Sequence, residues 1–414
     1  MKEPKIRFKG FEGEWENPTI ANTFAIRNGY TPSKAIKAFW DGGTIPWFRM
    51  EDIRENGGIL KDAIQHITPL GVKGDGLFET NSIILATTAT IGVHAMLIAD
   101  SLANQQFTNF SIRKSLKDNY NPMFVYYSFF GIDEWCKKNT NSGGLLAVNI
   151  PYLLKQSFHT PTLPEQQSIA SYFQHLDSLI QSTTKKIESL KQVKAASLQS
   201  MFPQEGETIP RVRFKGFEGE WEKVLVGKIG VTYSGLSGKT KDDFGIGDAR
   251  FITFLNVLTN AKIDTSILEP VNVNGGEHQN EVKKGDLLFN TSSETPEEVG
   301  MCAVMNEELE NVYLNSFCFG FRVIDNNIDP TCVAYMMRSH IGRRIMSILA
   351  QGATRYNLSK NSFCKAVLVI PKNIAEQRAI ASYFTNLDRQ ITLQTQRLEK
   401  LKQIKAACLD KMFV

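Results

Sequence analysis

The sequence predicts a mixed α/β protein in which two similar globular domains are separated by two long antiparallel coiled-coil helices, in a pseudo-two-fold and pseudo-cyclic arrangement. Three observations carry this. Pro4–Glu16 reads PKIRFKGFEGEWE and Pro210–Glu222 reads PRVRFKGFEGEWE, differing only at Lys5/Arg211 and Ile6/Val212. Each copy also closes alike: EQQSIASYFQHLDSLI from Glu165 answers EQRAIASYFTNLDRQI from Glu376, and ESLKQVKAASLQSMF from Glu188 answers EKLKQIKAACLDKMF from Glu399. Between these matching ends the middles have drifted apart, so one scaffold carries two different inserts. That is the pattern of a chain performing one geometric task on two different targets.

The division that follows is 1–163 for the first globular domain, 164–202 for the first long helix, 203–209 for a linker, 210–373 for the second domain and 374–414 for the second helix. A chain of 414 residues is long enough for two domains that each bury a core. Its formal charge of +4 permits a polyanionic partner without requiring one. No apolar run approaches the roughly 20 residues that span a bilayer, and the start, MKEPKIRFKG, lacks the apolar stretch of a signal peptide. A cytoplasmic location is the default expectation. Cys136 lies in the first half and Cys302, Cys318, Cys332, Cys364 and Cys408 in the second, with no C-x-x-C pair, which favours buried reduced thiols over disulfides or zinc.

Within the middles, β-branched and aromatic runs between turn residues predict strands: IPWFRM near Trp47, NSIILATTATIG near Leu85, FTNFSI near Phe110 and FCFGFRV near Phe319. The segments from Pro122 and Pro330 predict short helices, with Tyr126, Tyr127 and Phe130, or Tyr335, Met336 and Ile341, facing inward. Ile83-Ile84-Leu85 answers Leu287-Leu288-Phe289 and Gly92 answers Gly300, so an insertion of four residues falls in the polar TSSETPEEVG segment. GGLLAVNI ending at Ile150 answers QGATRYNL ending at Leu358. The middles are therefore diverged relatives of one fold.

The closing segments differ in kind. Ile169, Phe173, Leu176, Ile180, Thr183, Ile187 and Leu190 step by four and three, as do Ile380, Phe384, Leu387, Ile391, Gln394, Leu398 and Leu401. No Gly or Pro interrupts either run, so each predicts a helix of about 55 Å. Only PQEGETI separates the first helix from the second copy of the opening repeat. If the helices pair along their apolar seams, the second runs back antiparallel and brings Met1 close to Val414. The alternative is that each helix packs on its own domain as an ordinary amphipathic element. Small residues in AASLQSMF and AACLDKMF suit close packing, and apolar positions left on the outside could dock partner helices.

Several apparent catalytic signatures fail on inspection. Gly238-Lys239-Thr240 resembles the end of a phosphate-binding loop, yet Tyr233 stands where that motif needs glycine. Its counterpart in the first copy, GYTPS from Gly29, has no lysine. Asn121-Pro122-Met123-Phe124 lacks the second proline of the N-P-P-Y motif with which aminomethyltransferases hold a flipped base. No dinucleotide fingerprint follows a strand, and His66, His94, His159, His175, His278 and His340 neither recur between copies nor fall at metal-ligand spacing.

Recognition remains. Duplex DNA repeats its groove geometry, so two like modules can read two short patches on it. Candidate contacts on turns beside strands are Arg27, Tyr30, Thr31, Arg49, Arg54, Lys73, Thr88 and Gln105 in the first domain, and Lys239, Arg250, Thr253, Thr291, Arg355 and Tyr356 in the second. Arginine and glutamine can address base edges bidentately; lysine and threonine more often hold phosphates.

The EQ-x-x-IASYF segments at Glu165-Gln166 and Glu376-Gln377, the GYTPS turn and the RFKGFEGEWE repeat together resemble the specificity subunit of a type I restriction-modification system. The resemblance covers the whole chain. It implies two target recognition domains reading an asymmetric bipartite DNA sequence across a non-specific gap set by the helices. It also implies no catalysis and no cofactor in this chain: two methyltransferase subunits would bind S-adenosylmethionine, and motor-nuclease subunits would use ATP and magnesium. The second copy departs from GYTPS at Leu236, Gly238 and Lys239, which weakens a DNA role for that turn. A coiled-coil interaction scaffold that never reads DNA, and a stand-alone nucleotide-hydrolysing or DNA-cutting enzyme, are the competing classes.

Overall fold

The computed structural model describes residues 3–141 and 146–413 and divides into two compact units, Met1–Thr184 with Gln396–Val414, and Lys185–Thr395. In the first unit β1 (Phe24–Asn28), β2 (Ile59–Leu60), β3 (Ser82–Ala86), β4 (His94–Leu97) and β5 (Phe107–Ile112) form a sheet in the order β1-β5-β3-β4-β2, antiparallel except for β2 beside β4. A smaller sheet sets Ile45–Phe48 between His66–Ile67, antiparallel, and Leu102–Ala103, parallel. The second unit repeats both sheets. Its β6 (Gly230–Ser234), β7 (Leu287–Asn290), β8 (Cys302–Val304) and β9 (Cys318–Val323) follow the order β6-β9-β7-β8. Phe244–Ile252 there lies between Glu269–Val271, antiparallel, and Val312–Leu314, parallel.

The apolar runs are continuous because both faces of each main sheet are covered. Successive side chains alternate in direction, so Ile83, Leu85 and Phe110 enter the core beneath the helices while Ile84, Ala86 and Phe107 enter the core shared with the small sheet. Leu287 and Phe289 part from Leu288 in the same way. The β3–β4 and β7–β8 connections both turn on a left-handed glycine, Gly92 at φ 74° and Gly300 at φ 65°. The longer second connection holds the four extra residues.

The helices that matter for the site are α1 (Pro122–Lys138), α2 (Leu163–Ser200), α3 (Pro330–Arg338), α4 (His340–Leu349) and α5 (Ile374–Met412). Asn121 Oδ1 caps α1 by accepting from Met123 N and Phe124 N, each at 3.0 Å, and Asp329 Oδ1 caps α3 by accepting from Cys332 N at 2.9 Å. This is what Asn-Pro-Met-Phe does here: the amide is occupied as a helix cap. The single helix expected from Pro330 through Ile341 is in fact two. Ser339 leaves the helical conformation at ψ 167° and its hydroxyl accepts from Gly342 N, starting α4, so Ile341 belongs to a different helix from Tyr335 and Met336.

Both expected modes of packing for the long helices occur together. In the first unit Ile169, Phe173 and Leu176 are buried with Phe124 and Tyr127 of α1 and also with Met412, while Leu401, Cys408 and Leu409 of α5 and Phe413 just beyond it pack against the same core. In the second, Ile380, Phe384 and Leu387 are buried with Tyr335, Met201 and Phe202, and Leu190 and Leu198 of α2 join them. Ile187 and Leu398 are buried, and Ile180 and Ile391 half-buried. Pairings run antiparallel: Tyr172 meets Cys408 and Asp177 meets Lys405, as Tyr383 meets Ser197 and Asp388 meets Lys194.

The repeated sequence motifs make one clamp twice. Arg7 grips buried Glu165 bidentately at 2.7 and 2.8 Å, and Arg213 grips buried Glu376 at 2.6 and 2.8 Å. A carboxylate this buried requires such a partner. Gln166 donates to Asn119 O and Pro161 O and accepts from Asn121 N; Gln377 does the same with Asn327 O, Pro371 O and Asp329 N. The opening repeat then meets the end of the other helix, Ile6 N donating to Lys411 O and Val212 N to Ser200 O, both at 2.9 Å. Met1 and Val414 themselves lie outside the described residues.

Candidate nucleic-acid interface

Antiparallel pairing brings the C-terminal ends of β1 and β3 and the start of β5 to one end of the first unit's sheet. The turns gathered there are residues 29–33, 87–90 and 104–106, with Arg49 joined to them because Asn104 N donates to Phe48 O at 3.0 Å. Gly29 passes against the neighbouring turn so closely that a Cβ there would sit 2.2 Å from Asn104 O. Gly235 repeats this, 2.1 Å from Asn315 O, which shows that GYTPS and GLSGK begin one and the same turn. The second unit gathers residues 235–240, 291–293, 315–317 and 351–357 at the corresponding sheet end, and Asn315 N donates to Ile252 O at 3.0 Å beside Thr253.

The structure brings most first-domain candidates together. Thr31 Oγ1 donates to Gln105 Oε1 at 2.6 Å. Tyr30 accepts from Lys73 N at 2.7 Å, and Lys73 Nζ lies 4.5 Å over its ring. Arg27 donates to Asp75 O and stacks on Phe78, which commits its guanidinium to the fold. Arg49 precedes the helix Met50–Asn56, pairs with Glu51 at 2.8 Å and has its Nε buried with no protein partner. Thr88 bridges to Ala147. Arg54 stands apart, exposed in the last turn of that helix.

In the second unit Thr291 Oγ1 donates to Phe317 O at 2.8 Å, Tyr356 pairs with Ser293, and exposed Arg355 reaches Ser292 Oγ at 3.2 Å. Thr253 caps the helix Phe254–Thr259, and Arg250 is exposed on its strand. Lys239 is occupied differently. Its side chain is only 5% exposed and its amine meets Glu277 at 2.5 Å, holding that carboxyl down at about 2. Thr240 is tied to the same turn: its N–H and hydroxyl both donate to Asp243 Oδ2, and Asp243 N donates back to its carbonyl. Gly-Lys-Thr is thus part of a braced turn.

Three further side chains reach the same sheet ends without having been named from the sequence: Gln106, Phe317 and Lys360. Lys360 Nζ donates to Ser234 Oγ at 2.6 Å at the same sheet end. The other two sit on matching turns: Asn104 Oδ1 accepts from Gln106 N at 3.0 Å, and Asn315 Oδ1 accepts from Phe317 N at 2.8 Å. The signal was an asparagine directly after one strand and three residues before the next. The GGLLAVNI correspondence falls partly on 143–145, outside the described residues; beyond them Thr140 bridges Val148 as Gln351 bridges Asn357. Among the described residues no group of three or more His, Cys, Asp or Glu side chains is placed to hold a metal ion, and no helix is long and apolar enough to cross a membrane. His94 is a core histidine, its Nδ1 2.5 Å from Asp133 Oδ2.

A framework clamped the same way twice, with equivalent turns that carry unlike side chains at one end of each sheet, makes a duplicated scaffold. The chain belongs to the type I restriction modification DNA specificity domain family, whose model matches residues 12–192 and 221–403. It is 47% identical over 141 residues to the type I restriction enzyme EcoprrI specificity subunit of Escherichia coli, covering 34% of this chain and 35% of that one. The chain's matches span only about a third to under a half of the length of such curated relatives. The S subunit of a type I restriction-modification system from M. genitalium matches in fold over 100% of this chain and 99% of its own, with a TM-score of 0.58 at 15% identity. A structure described as showing complex assembly and conformational transition of the type I R-M system matches over 96% and 97%, with a TM-score of 0.56 at 14% identity.

Proposed function

We propose that the chain is the DNA sequence-recognition subunit of a type I restriction-modification complex and that its two units read the two halves of an asymmetric bipartite target. The observation that carries this is the pair of equivalent turns, Asn104–Phe107 and Asn315–Cys318, which share hydrogen bonding and differ at their tips. Like frameworks displaying unlike side chains suit a reader of two different short sequences on one polyanion. Arg355, Arg250 and Lys73 supply exposed cations for phosphates or base edges.

On this reading the chain catalyses nothing. Two methyltransferase subunits carrying S-adenosylmethionine would dock on the long helices, where Val193, Leu393 and Ile404 leave apolar surface in water. Motor-nuclease subunits would bring ATP and magnesium, and the complex would work in the cytoplasm. Single-molecule sequencing of methylated genomic DNA with and without this chain tests the reading. A bipartite motif modified only in its presence is expected; a methylome that ignores its deletion refutes it. Salt-sensitive retention of the chain with its methyltransferase on random duplex separates it from a scaffold that never touches DNA.

A further inference from the structure

At the tip of the second unit's turn stands Phe317, 58% exposed and, among the described residues, the one exposed phenylalanine or tryptophan. Loop softness does not explain this exposure. The Phe317 N–H donates to Asn315 Oδ1 at 2.8 Å, its carbonyl accepts from Thr291 N at 3.0 Å and Thr291 Oγ1 at 2.8 Å, and Cys318 N closes the turn on Asn315 O. A backbone held this firmly cannot fold the ring back onto the core. The surroundings are polar: Ser316 beside it, Thr291 beneath it, and exposed Arg355 bonded to Ser292. The matching position in the first unit is Gln106, whose amide donates to Thr90 Oγ1 at 3.2 Å. One turn therefore presents two amides, Gln105 and Gln106, in one unit and a hydroxyl with an aromatic ring in the other.

We infer that Phe317 is a base-contacting residue of the second unit, packing its ring on the apolar part of DNA bases at the half-site that this unit reads. The inference rests on the DNA-reading proposal above. An apolar side chain gains from DNA either by covering a thymine methyl or by wedging into a base step, while Arg355 nearby holds the phosphates that position it.

The test uses the full chain assembled with its methyltransferase subunits. A randomised 30-base-pair duplex pool is first selected with the wild-type complex. Phe317→Ala is then expected to weaken binding to the selected duplex by about tenfold or more, to lose discrimination at one half-site only, and to leave binding to unrelated duplex within about twofold. Phe317→Leu should restore part of the loss. Replacing thymine by uracil at the affected half-site reproduces the loss if the methyl is the contact; 2-aminopurine there brightens with wild type and not with Phe317→Ala if the ring wedges into a step. Unchanged affinity and discrimination in Phe317→Ala overturn the inference while leaving the DNA-reading proposal standing. A wild-type complex that selects no motif at all overturns both. Because the ring lies in water, the variant should melt with the wild type, so loss of folding does not mimic the effect.

Discussion

Asp388 is the best place to test how the long helices are tied to the second unit. Its carboxylate accepts from Tyr335 Oη of α3 at 2.8 Å and from Lys194 Nζ of α2 at 2.5 Å, so three elements of the second unit meet at one side chain. Burial, with the Asp388 charge beside it, pushes the Tyr335 phenol far above its ordinary range, so it stays a donor at every working pH. Asp388→Ala takes away the carboxylate acceptor of that buried hydroxyl, at a cost of about 1–3 kcal/mol. The lysine adds little, roughly 0–1 kcal/mol, because both charged groups are about a quarter exposed and water can replace the partner. The total is about 2 kcal/mol, a roughly thirty-fold change in a local opening equilibrium. Hydrogen exchange read by mass spectrometry should show amides 190–200 and 384–395 exchanging about thirty times faster. Tyr335→Phe alone should cost only about 1 kcal/mol, and the double variant less than the sum of the singles, because it leaves no phenol short of that acceptor. Full additivity, or unchanged exchange at 190–200, would refute the view that this carboxylate joins the helices to the unit.

Three further outcomes are expected. Seven residues inserted both after Thr184 in α2 and after Thr395 in α5 leave each unit's own contacts intact and add about 10 Å of helix; motif mapping of methylated DNA should then give a wider gap with both half-sites kept, and an unchanged gap would end the spacer reading. Of the six cysteines, Cys136, Cys302, Cys318 and Cys332 are buried, with burial pushing the Cys136 and Cys318 thiols up to about 12, so maleimide at neutral pH should label only Cys364 and Cys408 in the native chain and all six after denaturation. Glu277 has its folded pKa lowered to about 2 chiefly by Lys239, so its stabilising contribution is complete above about pH 4.5 and is lost as pH falls toward 2; exchange of the 272–279 loop amides should accelerate across that window in the wild type, whereas Lys239→Ala should shift the acceleration to higher pH.

The strands and long helices were legible because their signals are dense. Ser82–Ala86 is apolar at nearly every position since both faces are buried, and the seam from Ile169 to Leu190 keeps its spacing for several turns. The break at Ser339 was hidden because serine in a helical run is only weakly unfavourable until its hydroxyl finds an orphan N–H. The clamps were visible as repeated letters but not as chemistry. Arg7 and Glu165, or Lys239 and Glu277, are joined by the fold across long stretches of chain, and no local pattern reports such a pairing. The candidate site follows a similar logic: polar turn residues could be named, while which of them are consumed in bracing the turns required coordinates.

The matching ends have a mechanical role. Each compact unit is completed by the closing segment of the other copy: Asp177 is served by Lys405 and Asp388 by Lys194, and Phe413 packs on Phe173 as Phe202 packs on Phe384. A change in one closing segment is therefore felt in the other copy's unit. The middles also touch these segments: Phe124 packs on Phe413, and Tyr335 shares Asp388 with Lys194. Cys408 and Ser197 are one difference between the two closing segments. They face equivalent tyrosines, Tyr172 at 3.4 Å and Tyr383 at 2.9 Å, and a thiol and a hydroxyl of similar size each satisfy the phenol there.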